Sequence, residues 1–326
     1  MTATARPGTP LVTIDSLREA HTGLAGIALR TPLVETHPSL WPAGTPPIFL
    51  KAEQLQPIGA FKIRGAYTAI RRLTPEQRAA GVVTHSSGNH GLAVSWAARR
   101  LGVKAVVVVP ADAPMVKQDG IRANGAELVT VPDRALREPT VNQLVAERGL
   151  SFVPPYDHPD VIAGQGTMGI EILEQCPGLE TLLVPCSGGG MLSGNATAMR
   201  ALKPSVRVIG VEPAGAPKLS AALRAGRPTR IEKPQSIADG LLTPSVGMLP
   251  FAQMSGIVRE AVQVTEDELI AGVRTLWQRL GWRIEPSGAI AFAALLAGKV
   301  TPTGPTVAVV SGGNIDPEVF TTLVLS

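Results

Sequence analysis

The chain has 326 residues, of which 44% are hydrophobic and 17% charged, so it is not a disordered polypeptide and has enough apolar material for a substantial core. Thirty basic residues against 26 acidic ones leave a formal charge of +4, and lysine and arginine never run longer than two, which excludes an electrostatic nucleic-acid surface. Aromatics are scarce at 4%, while 34 glycines and 29 prolines point to an aliphatic α/β protein with many tight turns. Cys176 and Cys186 have no metal-type spacing and read as reduced, buried thiols. Residues 1–10 lack the apolar region of a secretory signal, and the longest apolar stretch, Ala105 to Val109, is too short for a bilayer. The expectation is a soluble, cytoplasmic protein with no membrane partner.

In chain order, short β-branched runs alternate with longer helical patterns, as parallel sheets with crossover helices require. Val82 to Thr84 reads as a strand and His90 to Leu101 as the next helix, stopped by Gly102. Ala105 to Val109 is a buried strand, Met115 to Ala123 a helix ended by Asn124-Gly125, Glu127 to Val131 a strand, and Val141 to Arg148 a helix ended by Gly149. A second series begins after Pro154-Pro155. It comprises a helix from Ile162 to Gln175, a strand from Thr181 to Pro185, a helix from Met191 to Leu202 and a strand from Val206 to Val211. Thr265-Glu266-Asp267-Glu268 has the form of a capping box, and Leu269, Val273, Leu276 and Leu280 recur behind it at helical spacing. Thr306 to Val310 closes the series as a strand.

Three polar, glycine-bearing segments each follow directly on a predicted strand: Ser86-Ser87-Gly88-Asn89-His90, Ser187-Gly188-Gly189-Gly190-Met191 and Ser311-Gly312-Gly313-Asn314. Ligands of open α/β sheets sit beyond the carboxyl ends of strands. A glycine loop that opens a helix offers backbone amides and the positive end of a dipole to an anion.

The remaining segment, Gly59-Ala-Phe61-Lys62-Ile-Arg-Gly-Ala66, resembles the Schiff-base lysine motif of the fold-type-II pyridoxal-phosphate enzymes. Thr84-His-Ser-Ser-Gly-Asn-His-Gly91 resembles their substrate-carboxylate loop, the 187–190 loop their phosphate cup and Ser311-Gly-Gly-Asn their pyridine-nitrogen motif. Val161-Ile-Ala-Gly-Gln-Gly-Thr167, Ile237-Ala-Asp-Gly240 and Ile284-Glu-Pro-Ser-Gly288 are similar to the serine racemase and threonine dehydratase branch, so the likeness spans about residues 25 to 320. It implies a two-domain α/β, tryptophan synthase β-like architecture of parallel sheets flanked by helices. Residues 1–80 and 155–326 would form the large domain and 81–154 the small one, in a homodimer.

The resemblance also implies roles for particular residues. Lys62 is the residue bonded to pyridoxal 5'-phosphate and the base at the substrate Cα, with Phe61 beside the cofactor. Ser187, Gly188, Gly189, Gly190 and Met191 take the phosphate, Ser187 adding a hydroxyl where many relatives carry glycine. Asn89 faces the phenolic oxygen, Ser311 the pyridine nitrogen, and Glu285 lies near the ring. Serine, unlike aspartate, does not enforce ring protonation, which favours β-elimination over a long-lived carbanion. Ser86, Ser87, Gly88, Asn89 and His90 hold the substrate carboxylate, and Ser87 matches the acid/base that racemases use on the face opposite the lysine. Tyr156 reads as an aromatic wall suited to a substrate methyl, and Asp239 as a group near the substrate hydroxyl or amine. Arg137 aligns with a racemase arginine without a clear role.

One departure concerns metals. Racemases of this branch bind a divalent cation through a glutamate, a backbone carbonyl and an acidic side chain. Here Glu212 and Ala216 remain, but the acidic position is Lys218. The expectation is an internal Lys218–Glu212 pair and no metal ligands. The reaction expected is dehydration and deamination of L-threonine or L-serine. Serine racemisation and 3-hydroxyaspartate dehydration are the alternatives.

Overall fold

The structure, a computed structural model, describes residues 10–325 apart from 87, 112 and 114. Ten strands are present among the described residues: β1 (Leu33–Glu35), β2 (Ile48–Ala52), β3 (Val82–His85), β4 (Ala105–Pro110), β5 (Glu127–Val131), β6 (Ser151–Phe152), β7 (Thr181–Pro185), β8 (Arg207–Pro213), β9 (Glu260–Val264) and β10 (Thr306–Val310). They form a six-stranded sheet in the order β1-β2-β10-β7-β8-β9 and a four-stranded sheet in the order β5-β4-β3-β6.

Every residue of β4, β7 and β10 is buried, as expected of parallel strands covered by helices on both faces. All pairings are parallel, as expected, except that the edge strand β1 runs antiparallel to β2. The register aligns Val310 with Ala52 and Pro185 with Val211, so the loops after β2, β10, β7 and β8 all leave from one edge of the large sheet.

Helices account for the rest. The helix Glu266–Leu280 starts at the capping box read from sequence, with Thr265 and Glu268 exchanging hydrogen bonds, and ends at Gly281 in the left-handed region (φ 66°). Pro286–Leu296 is buried continuously from Pro286 to Leu295, the mark of a helix enclosed on all sides. It packs with Glu266–Leu280 and the large sheet into one core that includes Leu50, Leu183, Ile209 and Val310. Ala93, Val94, Ala97 and Ala98 of Asn89–Arg100 join Val107 and Val109 of β4 in a separate core beneath the small sheet. Among the described residues no helix is long and apolar enough to cross a membrane.

A fully buried charge cluster anchors the helix Ile63–Arg71. Arg64 donates to both carboxylate oxygens of Glu53 (2.8 Å each) and of Glu171 (2.7 and 2.9 Å). Lys51 donates to Glu171 at 2.7 Å and to the Thr31 carbonyl at 2.8 Å. Two cations thus balance two carboxylates with their hydrogen bonds satisfied, the condition under which buried charge is tolerated. The cluster ties β2, the turn Glu53–Leu55 and the helix Pro159–Gln175 together two residues away from Lys62.

Candidate active site

Lys62 immediately precedes the helix Ile63–Arg71 and is half-buried. Its Nζ donates to the Pro155 carbonyl at 2.8 Å and lies 5.1 Å from the centre of the Phe61 ring. Desolvation by burial holds its ammonium down to about pKa 8. The amine is therefore closer to its neutral, nucleophilic form at working pH than a surface lysine.

The Ser311 loop is joined to the Lys62 loop through the backbone. The Phe61 amide donates to the Ser311 carbonyl at 3.1 Å, and Ala60 bridges Gly312. The Ser311 hydroxyl is buried, with the Ser287 carbonyl 3.5 Å away, a weak contact that leaves it able to bond a ligand. A Cβ on Gly312 would lie 2.3 Å from Glu285 Oε1 and 3.1 Å from Asn89 Nδ2, so the backbone approaches these groups as only glycine allows.

Asn89 is held at both ends of its amide: Nδ2 donates to Glu285 Oε1 at 2.5 Å, and Oδ1 accepts from Asn314 Nδ2 at 2.7 Å. Asn314 also donates to the Ile58 carbonyl at 2.8 Å. Asn89 opens the helix Asn89–Arg100, capped by Gly88, whose amide donates to Ser86 Oγ at 3.1 Å. His90 Nε2 donates to the Val153 carbonyl at 3.0 Å and its buried Nδ1 has no partner. Burial, with Lys62 adding to it, pushes His90 down to about 3. Burial and Arg137 push His85 to about 4. Both rings are neutral at ordinary pH and unsuited to proton transfer there. Ser87 falls outside the described residues.

The glycine loop leaves β7 and enters the helix Gly190–Leu202 through Gly189 at φ 90°, a conformation that favours glycine. Ser187 Oγ lies 3.1 Å from Thr243 Oγ1, and Met191 is buried in the first turn. Tyr156 packs directly on this loop: a Cβ at Gly188 would fall 2.3 Å from Tyr156 Cγ. Its ring backs the loop, and its phenol is pushed up to about 12, first by burial and then by Asp157 and Glu138. Tyr156, expected as a wall for the substrate, is placed here as the support of the glycine loop. Asp239 is exposed at the start of the turn Asp239–Leu241, whose Gly240 amide donates to Ser287 Oγ at 2.9 Å.

Lys218 is fully buried; the expected pair with Glu212 is present as a long ion pair, while its hydrogen bonds go to backbone carbonyls. Nζ donates to the carbonyls of Ala216 (3.0 Å) and Leu241 (2.8 Å), with Glu212 Oε2 at 3.8 Å. Glu212 instead accepts from the amides of Leu219 and Ser220 and from Ser220 Oγ. The carboxylate is satisfied by neutral donors at a helix start, so the ammonium turns to carbonyls. Three further groups were not read from sequence. Asn314 sits inside a recognised segment and was legible, whereas Thr243 and the Pro155 carbonyl carry no local signal.

The assembled site sets an amine with a lowered pKa among two helix N-termini and a buried hydroxyl, an arrangement that can hold an anionic ligand against a nucleophile. Comparison with known proteins agrees. A family model described as pyridoxal-phosphate dependent enzyme matches residues 25–312. The chain is 40% identical over 279 residues to the L-threo-3-hydroxyaspartate ammonia-lyase of Saccharomyces cerevisiae, covering 85% of this chain and 86% of that protein. It is 39% identical over 311 residues to an L-threonine ammonia-lyase of Geobacter sulfurreducens, covering 94% and 77%. The crystal structure of serine racemase from Dictyostelium discoideum superposes with a TM-score of 0.87 at 37% identity, over 94% of this chain and 99% of that one. The chain belongs to the pyridoxal-phosphate-dependent enzymes of fold type II and is a lyase of that family.

Proposed function

We propose that the enzyme dehydrates and deaminates L-threonine and L-serine, releasing a 2-oxo acid and ammonia, as a cytoplasmic homodimer. The observation that carries this reading is the pairing of Lys62, an amine with a depressed pKa, with a neutral hydroxyl, Ser311, across the same backbone junction.

The residues fit pyridoxal phosphate. Gly188 to Gly190 offer amides at the start of a thirteen-residue helix, and the Ser311 hydroxyl is buried with spare hydrogen-bonding capacity. When bound, the cofactor supplies an electrophilic carbon for an amine and a ring that accepts the electron pair left at Cα. Lys62 Nζ is the amine that would hold the cofactor, and once free it would serve as the base for the Cα proton. Asn89, locked by Asn314, presents its remaining N–H to the phenolic oxygen. Ser187 and the glycine loop take the phosphate, with Phe61 and Met191 beside it. The start of Asn89–Arg100, with Ser86, Gly88 and His90, takes the substrate carboxylate. Ser311 would offer the pyridine nitrogen one hydrogen bond without adding charge, which would favour loss of the β-hydroxyl as water over a long-lived charge at Cα. The division into 1–80 with 155–326 and 81–154 is supported by the two sheets, since β3 to β6 all fall within 81–154.

A second reading is 3-hydroxyaspartate as substrate. Two relatives at 40% identity carry that name, and Arg137 lies near enough to His85 to depress its pKa, a cation that suits a second carboxylate.

The test is to offer the purified holoenzyme L-threonine, L-serine and L-threo-3-hydroxyaspartate separately, following oxo acid and the chirality of recovered serine. Oxo acid from threonine with unracemised serine supports the proposal. Racemised serine with little oxo acid would point instead to Ser87 acting on the opposite face.

A further inference from the structure

Lys218 is one of the largest fully buried side chains and takes no part in the chemistry proposed above. A buried ammonium is costly unless its protons are satisfied. Here two go to backbone carbonyls, Ala216 at 3.0 Å and Leu241 at 2.8 Å, with the Glu212 carboxylate 3.8 Å away. Backbone carbonyls and a carboxylate gathered around a positive charge are the ligand set of a hard cation. With the ammonium inside, the residues do not fit a divalent ion.

The location gives this charge a task. Ala216 follows β8 on the edge of the large sheet from which the glycine loop leaves. Leu241 belongs to the segment that reaches the glycine loop at Thr243, 3.1 Å from Ser187 Oγ, and that is held on its other side by Ser287 through Gly240. Cys186, next to Ser187, is close enough to Lys218 to interact electrostatically with it.

We propose that the Lys218 ammonium is a resident cation, a positioning group that fastens the 239–243 segment to the corner after β8 and thereby steadies the Ser187 end of the phosphate loop. The enzyme carries in its own side chain the positive charge that this oxygen set would otherwise offer to a bound cation. Whichever β-hydroxy amino acid is the substrate, the consequence is the same: stability and cofactor retention are independent of divalent ions.

The experiment compares wild type, K218M and K218D holoenzymes in chelator and in magnesium, calcium or manganese chloride. It reads the melting temperature, the rate of pyridoxal phosphate release and manganese binding by electron paramagnetic resonance. Wild type should bind no manganese tightly and melt at one temperature throughout. K218M should melt about 5 °C or more lower and release the cofactor about tenfold faster, with no rescue by any ion. K218D should be destabilised in chelator, recover with at least one divalent ion and bind about one manganese per chain, because the carboxylate completes the oxygen set. A wild type stabilised by a divalent ion, a K218M protein matching wild type in melting and cofactor release, or a K218D protein that is indifferent to or insoluble in all three ions would overturn the proposal. None of these readouts depends on substrate turnover, so failure here is separable from failure of the proposed reaction.

Discussion

Asn314 donates a 2.7 Å hydrogen bond to Asn89 Oδ1 across 225 residues of sequence, and this fixes which way round the Asn89 amide lies. With its oxygen occupied, Asn89 turns its nitrogen to Glu285 at 2.5 Å and keeps a second N–H for a ligand. Replacing Asn314 by alanine removes that constraint. Of the two hydrogen bonds lost, to Ile58 and to Asn89, the one to Asn89 bears on the ligand and is worth about 1–1.5 kcal/mol, so N314A apoenzyme should bind pyridoxal phosphate about tenfold more weakly in an absorbance titration. N314D, which sets oxygen against oxygen, should be worse than N314A; equal affinity for all three proteins would remove Asn314 from this role.

Burial brings Lys62 to about pKa 8, and only the neutral amine attacks an aldehyde. Cofactor uptake by apoenzyme should therefore rise as pH climbs through about 8 and level off above it, instead of rising toward 10. Stopped-flow absorbance between pH 6 and 10 measures this directly. K62A should lose the lysine-bound absorption band and at least about a thousandfold of its turnover.

Glu171 serves both Arg64 and Lys51 inside the core. Removing one member of a buried, hydrogen-bonded charge set costs about 3–5 kcal/mol. E171Q should lower unfolding stability in urea by that order, whereas R207A should change it by less than about 1 kcal/mol, because the Arg207–Glu260 pair is exposed.

His90 carries the sharpest acid liability. Its pKa is pushed to about 3, mainly by burial, against about 6.5 in an unfolded chain. Above pH 6.5 it is neutral in both states and indifferent to pH. Below that, the unfolded chain binds the proton first, so stability falls as pH drops from 6.5 toward 3, by up to about 1.4 kcal/mol per pH unit for this proton. Urea unfolding at pH 5 and 7.5 should show a smaller pH difference in H90Q than in wild type; identical slopes would count against the buried neutral ring.

Strands β4, β5, β7 and β10 were legible almost to the residue because each is a short, β-branched run between turn signals. The helix Ile63–Arg71 was recognised as a motif and not as a helix. Its nine residues set Arg64, Thr68 and Arg71 opposite Ile63, Ala66 and Ile70, but most of the polar face is buried too, because Glu53 and Glu171 take the charge of Arg64. The helix Arg137–Arg148 begins four residues before the apolar pattern at Val141, since its first turn is polar and tolerates Pro139. β1 was missed because a three-residue edge strand carries too little pattern, and β2 because its apolar run includes Lys51, whose burial depends on Glu171 and the Thr31 carbonyl. In the site, every glycine loop was legible, but the contacts that lock it were not. Thr243 against Ser187 and Tyr156 against Gly188 join residues whose nearness depends on the whole fold. Lys218 and Glu212 were read as a pair, and only geometry could tell that the ammonium bonds carbonyls before carboxylate.

The order of strands in the large sheet also bears on how the protein comes into being. β10 lies between β2 and β7, although both are synthesised well before it, and Asn314 reaches back 256 residues to Ile58. The centre of the sheet is a gap until β10 arrives and inserts between two waiting edges. A nascent chain lacking this strand exposes unpaired, apolar strand edges, the state most open to aggregation and chaperone capture. It also lacks the Ser311 carbonyl to which the Phe61 amide donates, so the loop that carries Lys62 stays unpinned until β10 arrives.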